Sequence, residues 1–274
     1  MSDDGLDELV ACEAAARAGG RVLTAWLGRF GVTLKSARDF VTEADFAAQR
    51  EIRGLLAAEF PGHGFVGEEA DDGRSQPPFG QPGHAGTGRR WIVDPLDGTT
   101  NYVHGFPAYC VSVALADGDD ILVGAIYDPV RDECFTARRG AGAWLDGRPI
   151  RTPVVTDPGA ALAAFSLPPR VAAGSPAVAD FLAIVPHVHS VRRTGSTALN
   201  LAYLACGRLH TFWARQVACW DVAAGFLMVR EAGGALGPFG APAAGTVPLD
   251  APAFMAASTV PLLEAVHGLL TADT

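Results

Sequence analysis

The densest chemistry in this chain lies in Trp91-Ile92-Val93-Asp94-Pro95-Leu96-Asp97-Gly98-Thr99-Thr100-Asn101. Two carboxylates, Asp94 and Asp97, are separated by a proline and one apolar residue, and Gly98-Thr99 follows at once. Carboxylate oxygens take hard divalent cations, and the free N–H groups at a helix start take phosphate. Trp91, Ile92 and Val93 read as the end of a buried strand. Pro95 fixes its own φ and biases Asp94 toward an extended conformation, so the chain leaves that strand in a defined direction. Gly98 permits a positive φ or a close backbone approach, and Thr99-Thr100 can cap a helix that begins there. A plain Asp-Gly turn uses some of the same letters. The longer pattern Asp-Pro-x-Asp-Gly-Thr should arise by chance in only on the order of 10⁻⁴ of chains this long.

Asp94 to Asn101 resembles the signature of the inositol monophosphatase family of metal-dependent phosphatases. Two further segments match in the expected order: Gly67-Glu68-Glu69 before it, and Trp220-Asp221-Val222-Ala223-Ala224-Gly225 in the C-terminal half. The resemblance runs from the first helix to about Ser258. It implies an αβαβα five-layer sandwich, an α/β fold of the sugar-phosphatase type. It also implies two or three Mg²⁺ ions, with Mn²⁺ as a substitute and Li⁺ as an inhibitor, and a homodimer. Asp94 would bridge two metals, Glu68 and the Leu96 carbonyl would complete one site, and Asp97 and Asp221 the other. Two ions about 4 Å apart can activate a water and stabilise the departing alkoxide. Gly98 and Thr99 would hold the phosphate through their N–H groups, and the Thr99 hydroxyl with Glu68 would orient the attacking water. Asp45 would lie near a third metal and that water. Gly195-Ser196-Thr197 would contact the alcohol half of the substrate, beside Asp221. No protein nucleophile is required, so hydrolysis is expected without a phosphoenzyme.

Each of these residues also has a plainer reading. Thr42-x-x-Asp45 fits a capping box, Asp221 fits a helix N-cap, and Gly195-Ser196-Thr197 fits an ordinary helix start. A Glu-Glu pair such as Glu68-Glu69 is usually solvated surface. His187, His189 and His210 read as packing or surface groups, because hard Mg²⁺ prefers oxygen.

One departure bears on the substrate. In inositol-specific relatives an acidic residue stands seven positions before the metal-binding aspartate, where it accepts hydrogen bonds from ring hydroxyls. Here Ala214 stands there, between Trp213 and Arg215. A missing acceptor costs discrimination, so the chemistry is retained while the preferred alcohol is open. Arg215 could face an anionic group, as in a bisphosphate. The expected substrate is inositol phosphate or a related polyol or sugar phosphate. Fructose 1,6-bisphosphate, histidinol phosphate and a nucleoside 3′,5′-bisphosphate are the alternatives within the superfamily. A non-enzymatic interaction protein that keeps the fold, as some bacterial relatives act in RNA-polymerase complexes, is the alternative of another class.

The elements that must position these groups can be read from composition and periodicity. The chain has 274 residues, 49% hydrophobic and 19% charged, with net charge −9. No more than two Lys/Arg residues are consecutive, which argues against a nucleic-acid partner and an anionic membrane surface. The five cysteines (12, 110, 134, 206 and 219) are odd in number and lack C-x-x-C spacing. They read as reduced thiols, which favours the cytoplasm, and the acidic start gives no presequence signal. The glycine- and proline-rich run from Ala232 to Leu249 reads as loop rather than membrane helix.

Leu6, Val10, Ala14, Ala18, Val22 and Trp26 recur every four residues and predict an amphipathic helix with those residues inward. Residues 31–38 read as a hairpin or loop. A second helix from Thr42 should bury Phe46, Ile52, Leu55, Leu56 and Phe60. Residues 71–88 read as a surface excursion. The stretches Val111–Leu115 and Ile121–Tyr127 predict an antiparallel hairpin, with further strands at Glu133–Ala137 and Ala143–Leu145. Past Pro153 the texture alternates. Strands are expected at Ala161–Ser166, His189–Arg192 and Leu209–Trp213, and helices at Ser175–Ile184, Thr197–Ala205, Val222–Ala232 and Pro261–Leu270. The chain therefore reads as one domain, with a helix pair and antiparallel sheet in residues 1–152 and an α/β half in 153–274.

Overall fold

The computed structural model describes residues 4–36, 39–69, 88–168, 171–239, 244–251 and 253–271. In chain order the elements begin with α1 (Asp4–Trp26), β1 (Val32–Ser36), β2 (Asp39–Thr42), α2 (Glu43–Glu59), β3 (Gly64–Gly67), β4 (Arg89–Asp97) and α3 (Thr99–Val103). Four more strands and a short one follow: β5 (Cys110–Asp117), β6 (Asp120–Asp128), β7 (Glu133–Arg138), β8 (Gly142–Leu145) and β9 (Arg148–Ile150). The remainder is β10 (Leu162–Ser166), α4 (Pro176–Ile184), β11 (Ser190–Arg192), α5 (Thr197–Ala205), β12 (Thr211–Arg215), α6 (Cys219–Glu231), β13 (Ala235–Pro238), β14 (Ala253–Ala257) and α7 (Val260–Thr271).

Seven strands, β3 to β9, form one sheet in sequence order, antiparallel except for the β3–β4 pair. Five strands form a second sheet in the order β11-β10-β12-β14-β13, with β10 parallel to both of its neighbours. Strand residues alternate between faces, and the alternation separates three cores. Trp91, Val93, Val111, Val113, Val123 and Ala125 pack with α1 and α2. Ile92, Ala114, Ile126 and Phe135 pack from the other face against α5 and α6, which Phe212, Ala214, Phe254 and Ala256 of the smaller sheet cover in turn. Trp213, Met255 and Ala257 face outward onto α4 and α7. Helix pair, sheet, helix pair, sheet, helix pair is the expected five-layer sandwich.

Several local readings differ from the structure. The first helix forms, but its inward face is Ala11, Cys12, Ala15, Ala16, Ala18 and Leu23, while Leu6 and Val10 are exposed. Small side chains let α1 lie close to the sheet, and a strict four-residue repeat drifts around a 3.6-residue helix. In α2, Ile52 and Leu56 are buried but Leu55 is exposed, and Ala44 and Ala48 complete the face instead. β4 does not end at Val93 but continues through Asp97. β13 lies inside the run read as loop, and α6 begins at Cys219, three residues before the expected start. The hairpin reading of residues 31–38 fits β1 and β2 as far as residue 36. Residues 37 and 38, and 71–87 of the surface excursion, lie outside the described residues.

Candidate active site

The extension of β4 past Val93 decides where the two central carboxylates point. Asp94 pairs with Ser112 and Asp97 with Cys110, so three steps on β4 oppose two on β5. That is a β-bulge, at the place where Pro95 has no N–H to give the ladder. In an unbroken strand residues three apart face opposite sides. The extra residue returns Asp97 to the side of Asp94, the face covered by α5 and α6. Gly98 then turns the chain with φ 100° into α3, and a Cβ there would lie 2.9 Å from the Ala108 carbonyl oxygen. Thr99 is thus the first residue of α3 rather than its cap, and the first-turn N–H groups open beside the carboxylates.

The helix layer supplies the rest. Asp221 sits in the first turn of α6, where its Oδ2 accepts a hydrogen bond from the Ala218 N–H at 2.7 Å. Carboxylate oxygens of Asp94, Asp97 and Asp221 all lie within 4.8 Å of one another. Asp97 also receives the start of α5: its Oδ2 accepts from Ser196 Oγ at 2.7 Å and from the Ala198 N–H at 2.6 Å. Glu68 follows β3, with its N–H donating to the Val93 carbonyl at 3.0 Å, and its charge acts on both Asp94 and Asp97. Asp45 is fully buried, accepts from the Thr42 N–H at 2.9 Å to close the capping box, and receives Thr99 Oγ1 at 3.3 Å. Capping and contact with the central motif therefore coexist in one side chain. Thr99 Oγ1 also donates to the Leu96 carbonyl at 3.1 Å.

Gathering carboxylates in a buried place has an electrostatic cost. Burial, and then the charges of Glu68, Asp97 and Asp221, hold the Asp94 carboxyl well above the usual range. Burial pushes Asp97 up to about 6, against the lowering effect of the Ser196 hydroxyl and the α5 N–H groups. An all-oxygen set of this charge suits a hard divalent cation, which would remove the repulsion.

Asp97 and Asp221 open onto a cavity of about 450 Å³ lined also by Phe40, Gly98 to Thr100, Ser166 to Pro168, Arg193, Gly195, Thr197 and Arg215 to Val217, with Asp94 buried beneath them. Gly195 and Thr197 face it, but Ser196 is 1% exposed and turns inward to Asp97. Ala214 is buried in the middle core and offers nothing to the cavity. Arg215 does line it, yet its guanidinium is held bidentately by Asp180, at 2.5 and 3.1 Å, and lies 3.9 Å over the Phe239 ring. Sequence reading missed Arg193, Gln216 and the linking role of Asn101. The Asn101 amide donates to the carbonyls of Ala108 at 2.6 Å and Thr194 at 2.7 Å, joining the central motif to the approach to α5. Nothing in a single sequence marks Arg193, whose position depends on the end of β11.

The same arrangement is matched across known proteins. The model of the inositol monophosphatase family matches residues 6–260. Inositol-1-monophosphatase of Rhizobium meliloti is 40% identical over 205 residues, covering 74% of this chain and 73% of that protein. Nus factor SuhB of Xylella fastidiosa is 39% identical over 225 residues, covering 80% and 78%. The crystal structure of extragenic suppressor protein suhB from Bartonella henselae superposes with a TM-score of 0.87 at 32% identity, covering 98% of this chain and 100% of that one. With the motif, the layers and the relatives in agreement over nearly the whole length, this chain belongs to the inositol monophosphatase family.

Proposed function

We propose that this chain is a Mg²⁺-dependent phosphomonoesterase that hydrolyses a small polyol or sugar phosphate directly with water. The observation that carries the reading is the convergence of Asp94, Asp97 and Asp221 to within 4.8 Å beside the Gly98–Thr99 turn. Family membership supports the coarser statement, a phosphatase of this superfamily.

Asp94, Asp97, Asp221 and Glu68, with the Leu96 carbonyl, would hold Mg²⁺, which supplies Lewis-acid charge to a phosphate in the cavity. Gly98 and Thr99 N–H groups would receive the phosphate oxygens. Glu68, with the Thr99 hydroxyl, would orient the attacking water. The Thr99 hydroxyl is held between the Leu96 carbonyl and Asp45. No step needs a covalent phosphoryl-enzyme, so trapping one on the protein would overturn this part of the reading. Mn²⁺ substitution, Li⁺ inhibition, a homodimer and a cytoplasmic location come with the family and belong to the same reading. Light scattering in solution tests the dimer.

The test of activity is phosphate release with Mg²⁺ from inositol 1-phosphate, fructose 1,6-bisphosphate, histidinol phosphate and adenosine 3′,5′-bisphosphate, with Asp94→Asn as the control. Release by the native chain and not by the control is the expected result. A second reading, a binding protein that keeps the fold, is favoured by the naming of the Xylella relative as a Nus factor. Absence of release from every ester would leave that reading in place.

A further inference from the structure

We infer that the substrate of this site carries a second anionic group on its alcohol half, and that Arg193 is the residue that reads it. The inference rests on the phosphomonoesterase reading and narrows its substrate class.

The wall in question is made by three adjacent parallel strands. β11, β10 and β12 run in one direction with β10 in the middle, so their carboxyl ends lie side by side. Arg193 follows the end of β11, Ser166 to Pro168 close β10, and Arg215 with Gln216 close β12; all of them line the cavity that holds Asp97 and Asp221. Strands spaced about 4.8 Å apart, with Arg215 two residues further along the register than Arg193, place the two arginine backbones roughly 12 Å from each other, on either side of β10. Carboxyl ends of parallel strands are where open α/β sheets receive their ligands.

The wall mixes groups that both donate and accept, the Ser166 and Thr197 hydroxyls and the Gln216 amide, with two arginines that only donate. Arg193 is exposed and makes no ion pair among the described residues. Arg215 gives its Nε and Nη2 to Asp180, so its charge is already offset. Asp180 itself is buried behind it and does not line the cavity. Ser166 Oγ is 3.4 Å from Thr197 Oγ1, and Ala214 is apolar. Gln216 is exposed on the same wall with φ 59°, a left-handed conformation that is uncommon for a residue with a side chain. A neutral polyol pairs with hydroxyls and amides of that kind but leaves the positive charge of the wall unmet. A phosphate or carboxylate presents acceptors only, and a free guanidinium meets it with paired N–H donors in fixed geometry. Between the two arginines, the uncompensated one is Arg193.

The experiment compares two matched pairs with native protein in Mg²⁺: fructose 1,6-bisphosphate against fructose 1-phosphate, and erythronate 4-phosphate against erythritol 4-phosphate. The expected result is a kcat/KM at least tenfold higher for the bisphosphate than for its monophosphate. A like preference for erythronate 4-phosphate would extend the second group from phosphate to carboxylate, and indifference there would confine it to phosphate. Arg193→Ala should raise KM for the bisphosphate about 10- to 100-fold, with kcat for both sugars and KM for fructose 1-phosphate within twofold of native. Arg193→Lys should recover part of that loss. An unchanged thermal midpoint checks that the exposed substitution leaves the fold intact. Equal KM changes on both members of a pair, or no change on either, would overturn the inference while the phosphatase reading stands. No release from any of the four esters, with release from inositol 1-phosphate, would overturn the inference alone, and no release from inositol 1-phosphate either would overturn both.

Discussion

The floor and the wall of the cavity are built by opposite means. On the floor and just beneath it, four carboxylates are held by local backbone. Asp94 is set by a bulge, Asp97 by the start of α5, Asp221 by the first turn of α6, and Asp45 by a capping box. On the wall, Arg193 and Gln216 stand exposed on loops after strand ends, and Arg215 alone is fastened. A floor of buried, mutually held carboxylates keeps one chemistry, whereas exposed side chains on strand ends can change without disturbing it. On the proposed function, the reaction would reside in the first and selectivity in the second.

The sharpest way to break this contrast is Asp94→Asn, expected to lower phosphate release at least about 1000-fold with every ester; a loss under tenfold would remove the floor from the chemistry. The same variant has a pH signature in metal-free protein. A carboxyl whose folded pKa stands above its unfolded value binds extra protons in the folded state, so its stability contribution is lost as pH rises through the window from 3.8 to about 6 given by Asp97, and beyond it for Asp94. Asp94→Asn should therefore raise the thermal midpoint more at about pH 7.5 than at about pH 5.5, measured by calorimetry in chelator. His63 and His210, lowered by burial, act with the opposite sign near their ordinary 6.5 and cancel in the difference.

Ser196→Ala removes the hydroxyl that holds Asp97. Mg²⁺ titration of activity should show about 10- to 100-fold weaker apparent affinity, with a smaller change in kcat at saturating Mg²⁺. An unchanged titration would show that Asp97 needs no such support.

Gly67→Ala tests the approach of Glu68. Gln49 clamps the next residue, accepting from the Glu69 N–H at 3.0 Å and donating to its carbonyl. A Cβ on Gly67 would come 2.2 Å from Gln49 Oε1. The substitution should cost about 1–3 kcal/mol in denaturant unfolding and lower activity about tenfold, and Gln49→Ala should relieve part of the stability loss. Additive losses in the double variant would refute the clash.

On the wall the expected effects are smallest. Gln216→Gly should stabilise the fold by about 1 kcal/mol, because glycine accepts the left-handed conformation freely. It should also leave the Asp94-dependent reaction on monophosphates within about threefold. A tenfold fall would place Gln216 with the floor instead.

Much of the floor was legible before any coordinates. Asp94-Pro-x-Asp-Gly-Thr, Gly67-Glu68-Glu69 and Trp220-Asp221 are local patterns, and Thr42-x-x-Asp45 announces its own capping box. The face of α1 was misread because alanine, glycine and cysteine bury by closeness rather than by bulk. β13 escaped because a four-residue strand of Ala-Leu-Gly-Pro has no alternation to detect. Ser196 was assigned to the substrate because a helix start looks alike whether its hydroxyl faces a cavity or a neighbouring carboxylate.

By itself the sequence determined which groups could do chemistry and on which local elements they sit, since capping, turns and strand ends are decided within a few residues. Only tertiary structure decided that Asp97 rejoins the face of Asp94, that Arg215 is already spoken for by Asp180, and that Arg193 comes to the cavity at all. Those outcomes depend on a bulge register and on the order of β11, β10 and β12, which are set by pairing between segments far apart along the chain.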